Sequence, residues 1–131
     1  MTTKLELYKC EICGNLVEIL VSGDGELVCC GQPMHHLQPK NKESEGLEKH
    51  VPIFVKNDCG NTEIRVGSIP HPMENEHFIM FIQTISADNN KVTTTFLHPN
   101  DIPKMRLECL TDALIAREYC NIHGLWENYN D

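Results

Sequence analysis

Tyr8-Lys9-Cys10-Glu11-Ile12-Cys13-Gly14-Asn15 and, further on, Gly25-Glu26-Leu27-Val28-Cys29-Cys30-Gly31-Gln32-Pro33-Met34 hold four of the seven cysteines. Cys10 and Cys13 form a Cys-x-x-Cys knuckle, a spacing at which both thiolates point at one ion. Gly14 relieves crowding where backbone amides turn toward the sulfurs. The second pair is adjacent, with Gly31 behind it. Four thiolates make a soft, tetrahedral site suited to zinc or to a single iron, and zinc competes for the same ligands, so these residues leave the metal open. Free or disulfide-forming thiols are the competing reading, and the knuckle argues against it. Two separated knuckles are the commoner arrangement; a vicinal pair forces a distorted tetrahedron.

Outward from this stretch, residues 5–9 (LELYK) and 16–21 (LVEILV) alternate as short strands do. GDGE at 23–26 is a turn signal, which predicts a hairpin joining 16–22 to 27–30. Residues 38–47, QPKNKESEGL, are polar and read as a linker between a first region, 1–37, and a second, 48–131. In the second region HVPIFV, TEIRVGS, HFIMFIQTIS, KVTTTFLH and MRLECL are rich in β-branched or aromatic residues, and DNNK at 88–91 marks a turn. Strands at this spacing predict an all-β sandwich. TDALIAREYC at 111–120 has helical propensity, with Thr111 as an N-cap, and local signals leave helix and strand both open there. No internal repeat or low-complexity tract is found.

Composition narrows the function. The chain has 131 residues, 6% aromatic with one tryptophan, so its core is modest and bound metal is expected to supply part of the folding energy. A formal charge of −8, from 11 Lys+Arg against 19 Asp+Glu, argues against nucleic acid or an anionic membrane as partner. No apolar stretch approaches the roughly 20 residues that span a bilayer. The opening MTTKLELYKCEICG lacks an apolar signal core, so a cytoplasmic location is expected. Clustered cysteines in a reducing compartment point to metal rather than to disulfides.

Three further clusters lie in the second region: Glu48-Lys49-His50-Val51-Pro52, His71-Pro72-Met73-Glu74-Asn75-Glu76-His77, and Cys120-Asn121-Ile122-His123-Gly124-Leu125-Trp126. Any one is a weak signal, because a lone histidine is more often a surface or satisfied core residue than a ligand. Together they bring four histidines and a cysteine to the edges of predicted strands. Cys-x-x-His lets both side chains reach one ion, and Gly124 lets the chain turn away.

The first region, YKCEICGN…GELVCCGQPM, resembles desulforedoxin, a small iron-binding module with this spacing. EKHVP, HPMENEH and CNIHGLW look like the iron-binding motifs of superoxide reductase, and the whole chain is similar to desulfoferrodoxin, the two-iron form. The resemblance spans both regions. It implies a desulforedoxin-like domain at 1–37, a linker at 38–47 and an immunoglobulin-like β-sandwich at 48–131, with ALIAREY a strand. It implies one iron on Cys10, Cys13, Cys29 and Cys30, where zinc also fits. A second iron would be held equatorially by His50, His71, His77 and His123 and axially by Cys120, with the opposite axial position open. Glu48 matches a residue that occupies that position in the oxidised enzyme, and Lys49 matches the cation beside it. Cys59 and Cys109 are left as unassigned thiols, and His35, His36 and His98 fall outside the motifs as surface residues.

The implied reaction is one-electron reduction of superoxide to hydrogen peroxide, with two protons taken up and no oxygen released. Zinc cannot supply the electron. Four neutral imidazoles keep iron electrophilic toward an anion, and the thiolate adds electron density. Lys49 would focus the field at the open position of a protein whose net charge repels the substrate. The four-cysteine centre, with no open position, would serve electron transfer. The resemblance further implies a rubredoxin-like donor and a homodimer. Three rival readings rank below this one: a pure electron carrier, a zinc-stapled interaction module, and a dismutase.

Overall fold

The computed structural model describes residues 1–41, 50–67, 72–108 and 111–130. The chain divides into two compact units, Met1–Gln38 and Pro39–Asp131. Among the described residues no helix is long and apolar enough to cross a membrane.

In the first unit, strand β1 (Leu7–Lys9) pairs antiparallel with β2 (Leu16–Glu18), and β3 (Val28–Cys29) pairs with β4 (Gln32–Pro33). β5 (His35–His36) joins the other edge of β1, giving the order β2-β1-β5. Leu7, Cys10 and Ile19 are its buried side chains. The predicted hairpin between 16–22 and 27–30 does not form: β2 pairs with β1 and β3 with β4. The cysteines cause the difference. Hydrogen bonds from Gly14 N to Cys10 O (2.9 Å) and from Cys10 N to Asn15 O (2.8 Å) close the knuckle into the β1–β2 turn. The glycine-rich stretch is instead tied to the start of the chain, where Thr2 N donates to Gly23 O at 2.9 Å.

The second unit holds β6 (Pro52–Asn57), β7 (Gly60–Val66), β8 (Ile79–Ser86), β9 (Val92–Phe96), β10 (Lys104–Arg106), β11 (Ala113–Cys120) and β12 (Gly124–Tyr129). They form two antiparallel sheets, ordered β10-β7-β6 and β12-β11-β8-β9, an immunoglobulin-like sandwich. Ile64 and Val66 from one sheet meet Ile79, Ile82 and Ala116 from the other, with Leu97 and Met105 completing the core. Each such fully buried aliphatic side chain contributes about 1.5–3 kcal/mol relative to exposure.

The ambiguous segment 111–120 is strand. β11 is flanked on both sides, by β8 and β12, and that two-sided pairing outweighs its helical propensity. Thr111, read as a helix N-cap, accepts the Ala113 N–H on its Oγ1 (3.2 Å), a local turn that starts the strand instead. At the far end Cys120 pairs with Gly124, and residues 121–123 make a tight turn into β12. Asn128 Nδ2, near the opposite end of β12 from that turn, donates to Pro52 O (3.1 Å) and ties the strand to the start of β6.

Candidate metal centres

In the first unit the Sγ atoms of Cys10, Cys13, Cys29 and Cys30 all lie within 4.8 Å of one another. Cys10 is buried, Cys29 half-buried, and Cys13 and Cys30 exposed. Cys13 and Cys29 sulfurs stand 3.6 Å apart, and Cys13 N approaches Cys10 Sγ at 3.5 Å. The vicinal pair requires an unusual backbone: Cys30 has φ +52° and Gly31 φ +76°. A left-handed non-glycine residue costs about 1–2 kcal/mol, which this turn spends to aim two adjacent side chains at one point.

Backbone N–H donation from Cys13 brings the Cys10 thiol down to about 6. Interaction with Cys13, then Cys10, pushes Cys30 up to about 12. Cys10 thus ionises readily while Cys29 and Cys30 resist, because thiolates this close repel one another. Only a cation among them would let all four ionise, and four clustered sulfurs suit a soft or borderline ion.

In the second unit the ligand atoms of His50, Cys120 and His123 lie within 4.8 Å of one another. Cys120 ends β11, His123 precedes β12, and His50 stands two residues before β6. His50 and Cys120 are buried, whereas His123 is exposed. The His50 and His123 rings are 4.5 Å apart between centroids. His77 lies outside that tight group, but its ring stands edge-on to His123 at 4.9 Å. Burial raises the Cys120 thiol, opposed by backbone N–H donation from His123 and Ile122. A buried thiol that must be ionised to ligate, beside imidazoles, fits a borderline divalent cation, whose charge would offset the cost of burial.

His71, Glu48, Lys49 and Cys109 fall outside the described residues. Cys59, read as an unassigned thiol, is disulfide-bonded. His35 and His98 are exposed, the latter 3.4 Å from Asp101. His36 is half-buried, stacked on Tyr8 and 3.2 Å from Glu6.

Sequence reasoning missed three residues around the second cluster. Trp126 stacks on His50 and donates its Nε1–H to His123 O (3.2 Å). Asn121 uses both ends of its amide: Oδ1 accepts the Phe78 N–H (2.9 Å) and Nδ2 donates to Glu76 O (3.0 Å). The turn carrying Cys120 and His123 is thereby stitched to the loop carrying His77. Glu118, two residues before Cys120, is fully buried with neither carboxylate oxygen hydrogen-bonded. Burial holds its pKa well above the usual carboxylate range and favours the neutral acid. Trp126 and Asn121 stood inside the quoted CNIHGLW motif, the only signal available; Glu118 had none.

A clustered-thiol unit followed by a β-sandwich with imidazoles around a buried thiol defines a two-unit β protein with two candidate metal sites. The family model described as desulfoferrodoxin matches residues 42–129, and that of the desulfoferrodoxin N-terminal domain matches 2–37. The chain is 48% identical over 128 residues to the desulfoferrodoxin of Syntrophotalea carbinolica, covering 98% of each. It is 33% identical over 108 residues to a superoxide reductase of Thermococcus kodakarensis, covering 62% of this chain and 84% of that one. The crystal structure of the superoxide reductase from Treponema pallidum shares the fold with a TM-score of 0.71, covering 95% of this chain and 98% of that one at 21% identity. The chain belongs to the desulfoferrodoxin family.

Proposed function

We propose that this protein is a superoxide reductase that converts superoxide, one electron and two protons into hydrogen peroxide without releasing oxygen. The observation that carries the reading is the convergence of His50, His123 and buried Cys120 within 4.8 Å at the β11–β12 turn. The family membership and the Thermococcus relative named for this activity support it.

Iron, when bound there, supplies the electron and is re-reduced by a donor. The ligands we assign are His50, His71, His77 and His123 with Cys120. Ile122 and His123 N–H groups stabilise the Cys120 thiolate, and Trp126 covers one face of His50 against water. Lys49, from its place beside His50 in the sequence, attracts the anion and orders a proton-donating water. Glu48 closes the site in the oxidised protein.

Cys10, Cys13, Cys29 and Cys30 hold a second iron that relays electrons, and their four thiols suit zinc equally well. A homodimer, a rubredoxin-like donor and a cytoplasmic location complete the proposal.

The test is to mix pulse-generated superoxide with the reduced, iron-loaded protein, following absorbance and products. One peroxide per superoxide, with no oxygen, supports the reductase; half a peroxide with oxygen means dismutation, and no reaction means an electron carrier.

A further inference from the structure

We propose that Lys40 is a positioning residue for the histidine–cysteine centre: its ammonium and the Trp126 indole N–H jointly hold the His123 carbonyl and so clamp the ligand-bearing turn. The inference rests on this cluster being the iron site. Lys40 lies between the two family-model matches, which end at residue 37 and resume at 42. No motif singles it out.

The geometry begins with the backbone. Lys40 forms a parallel bridge with Trp126, its N–H donating to Leu125 O (2.9 Å) and its carbonyl accepting from Glu127 N (2.8 Å). A piece of what reads as linker is thus laid along β12 as an extra edge. That placement sets Nζ 3.2 Å from His123 O and 5.3 Å above the Trp126 ring. Trp126 Nε1 reaches the same carbonyl at 3.2 Å, and the indole stacks on His50. One carbonyl thereby accepts from a cation and from the aromatic side chain that braces a second ligand.

Two consequences follow. Lys40 holds the indole from the face it covers, a cation–π contact on an exposed side chain, so the arrangement is trimmed by water but geometrically specific. Its charge also stands beside the centre, with Nζ 3.2 Å from the carbonyl of the ligand residue His123. A fixed cation beside a one-electron couple disfavours the more positive oxidation state, so Lys40 raises the potential of iron held there.

The test uses the full chain carrying Lys40→Met, which removes the charge and keeps an apolar stem, and Lys40→Arg, which keeps donor and charge. Two readouts need no superoxide. Trp126 is the only tryptophan, so emission of the metal-free protein reports directly on its surroundings. The midpoint potential of the histidine–cysteine iron, followed by its own visible absorbance, reports on the charge. Lys40→Met is expected to shift the emission and to raise the ferric-to-ferrous ratio about tenfold at fixed potential, ~59 mV downward for a one-electron couple. Lys40→Arg should stay near the parent in both. Parent-like emission and potential in Lys40→Met would overturn the proposal, as would Lys40→Arg being displaced as far as Lys40→Met. A parent protein that fails to reduce superoxide would defeat the enzymatic reading while leaving both Lys40 outcomes readable.

Discussion

The indole of Trp126 lies 20° from parallel to the imidazole of His50, with ring centroids 4.9 Å apart. The two residues come from opposite ends of the second unit, yet Trp126 also bonds the carbonyl of His123. One aromatic side chain therefore sets the distance between two candidate ligands that the sequence places far apart.

Trp126→Phe keeps a stacking ring but loses the N–H, and is expected to cost about 0.5–1.5 kcal/mol, the net worth of one hydrogen bond. Trp126→Ala should cost about 3–5 kcal/mol through the cavity it leaves. Denaturant melts of the metal-free proteins check both, and equal losses in the two variants would refute the separate role given to the N–H.

Asn121→Ala removes two hydrogen bonds between the Cys120–His123 turn and the 76–78 loop. About 1–3 kcal/mol should be lost. Iron at the histidine–cysteine site should dissociate at least tenfold faster to a chelator, while metal at the four cysteines leaves at the parent rate. Equal acceleration at both sites would contradict a local effect.

In the metal-free protein, one thiol should ionise at about pH 6. Its folded pKa is depressed, so its stabilising contribution is full above the unfolded value, roughly 8.5, and is lost as pH falls through about 6. Ultraviolet thiolate absorbance against pH, with Cys10→Ser as the control, measures this step. Its survival in Cys10→Ser would reassign it.

Glu118 has the opposite sign. A carboxyl whose folded pKa is raised stabilises the fold fully below its unfolded pKa, about 4.3, and loses that contribution as pH rises toward the folded value. Glu118→Gln, which cannot ionise, should therefore gain on the parent in metal-free melts as pH goes from 4 to about 8. A constant difference between the two proteins over that range would show that Glu118 does not titrate there.

Legibility in the sequence followed the range of the interaction. Cys10, Cys13, Cys29 and Cys30 were readable because ligands close in sequence leave a spacing. The β-sandwich was readable from strand-length apolar runs, whereas β11 was ambiguous on local signals and read as a strand only through the family resemblance, since its two flanking strands are what decide against a helix. The failed hairpin at 23–26 shows a turn signal overruled by the knuckle that pairs β1 with β2. Lys40 and Glu118 were invisible: one looks like any linker lysine, the other like a charged residue that belongs in water, and tertiary placement alone reverses both.

The two clusters also differ in when a growing chain can complete them. The four cysteines are all present once residue 30 has been made, and the strand pairs that orient them lie within the first 36 residues. The second cluster needs His50 and, much later, Cys120 and His123, on a turn that exists only when β12 can pair with β11. Synthesis from the N-terminus therefore imposes an order: the thiol cluster can be assembled and filled while the second site is still two disconnected pieces of unfinished polypeptide.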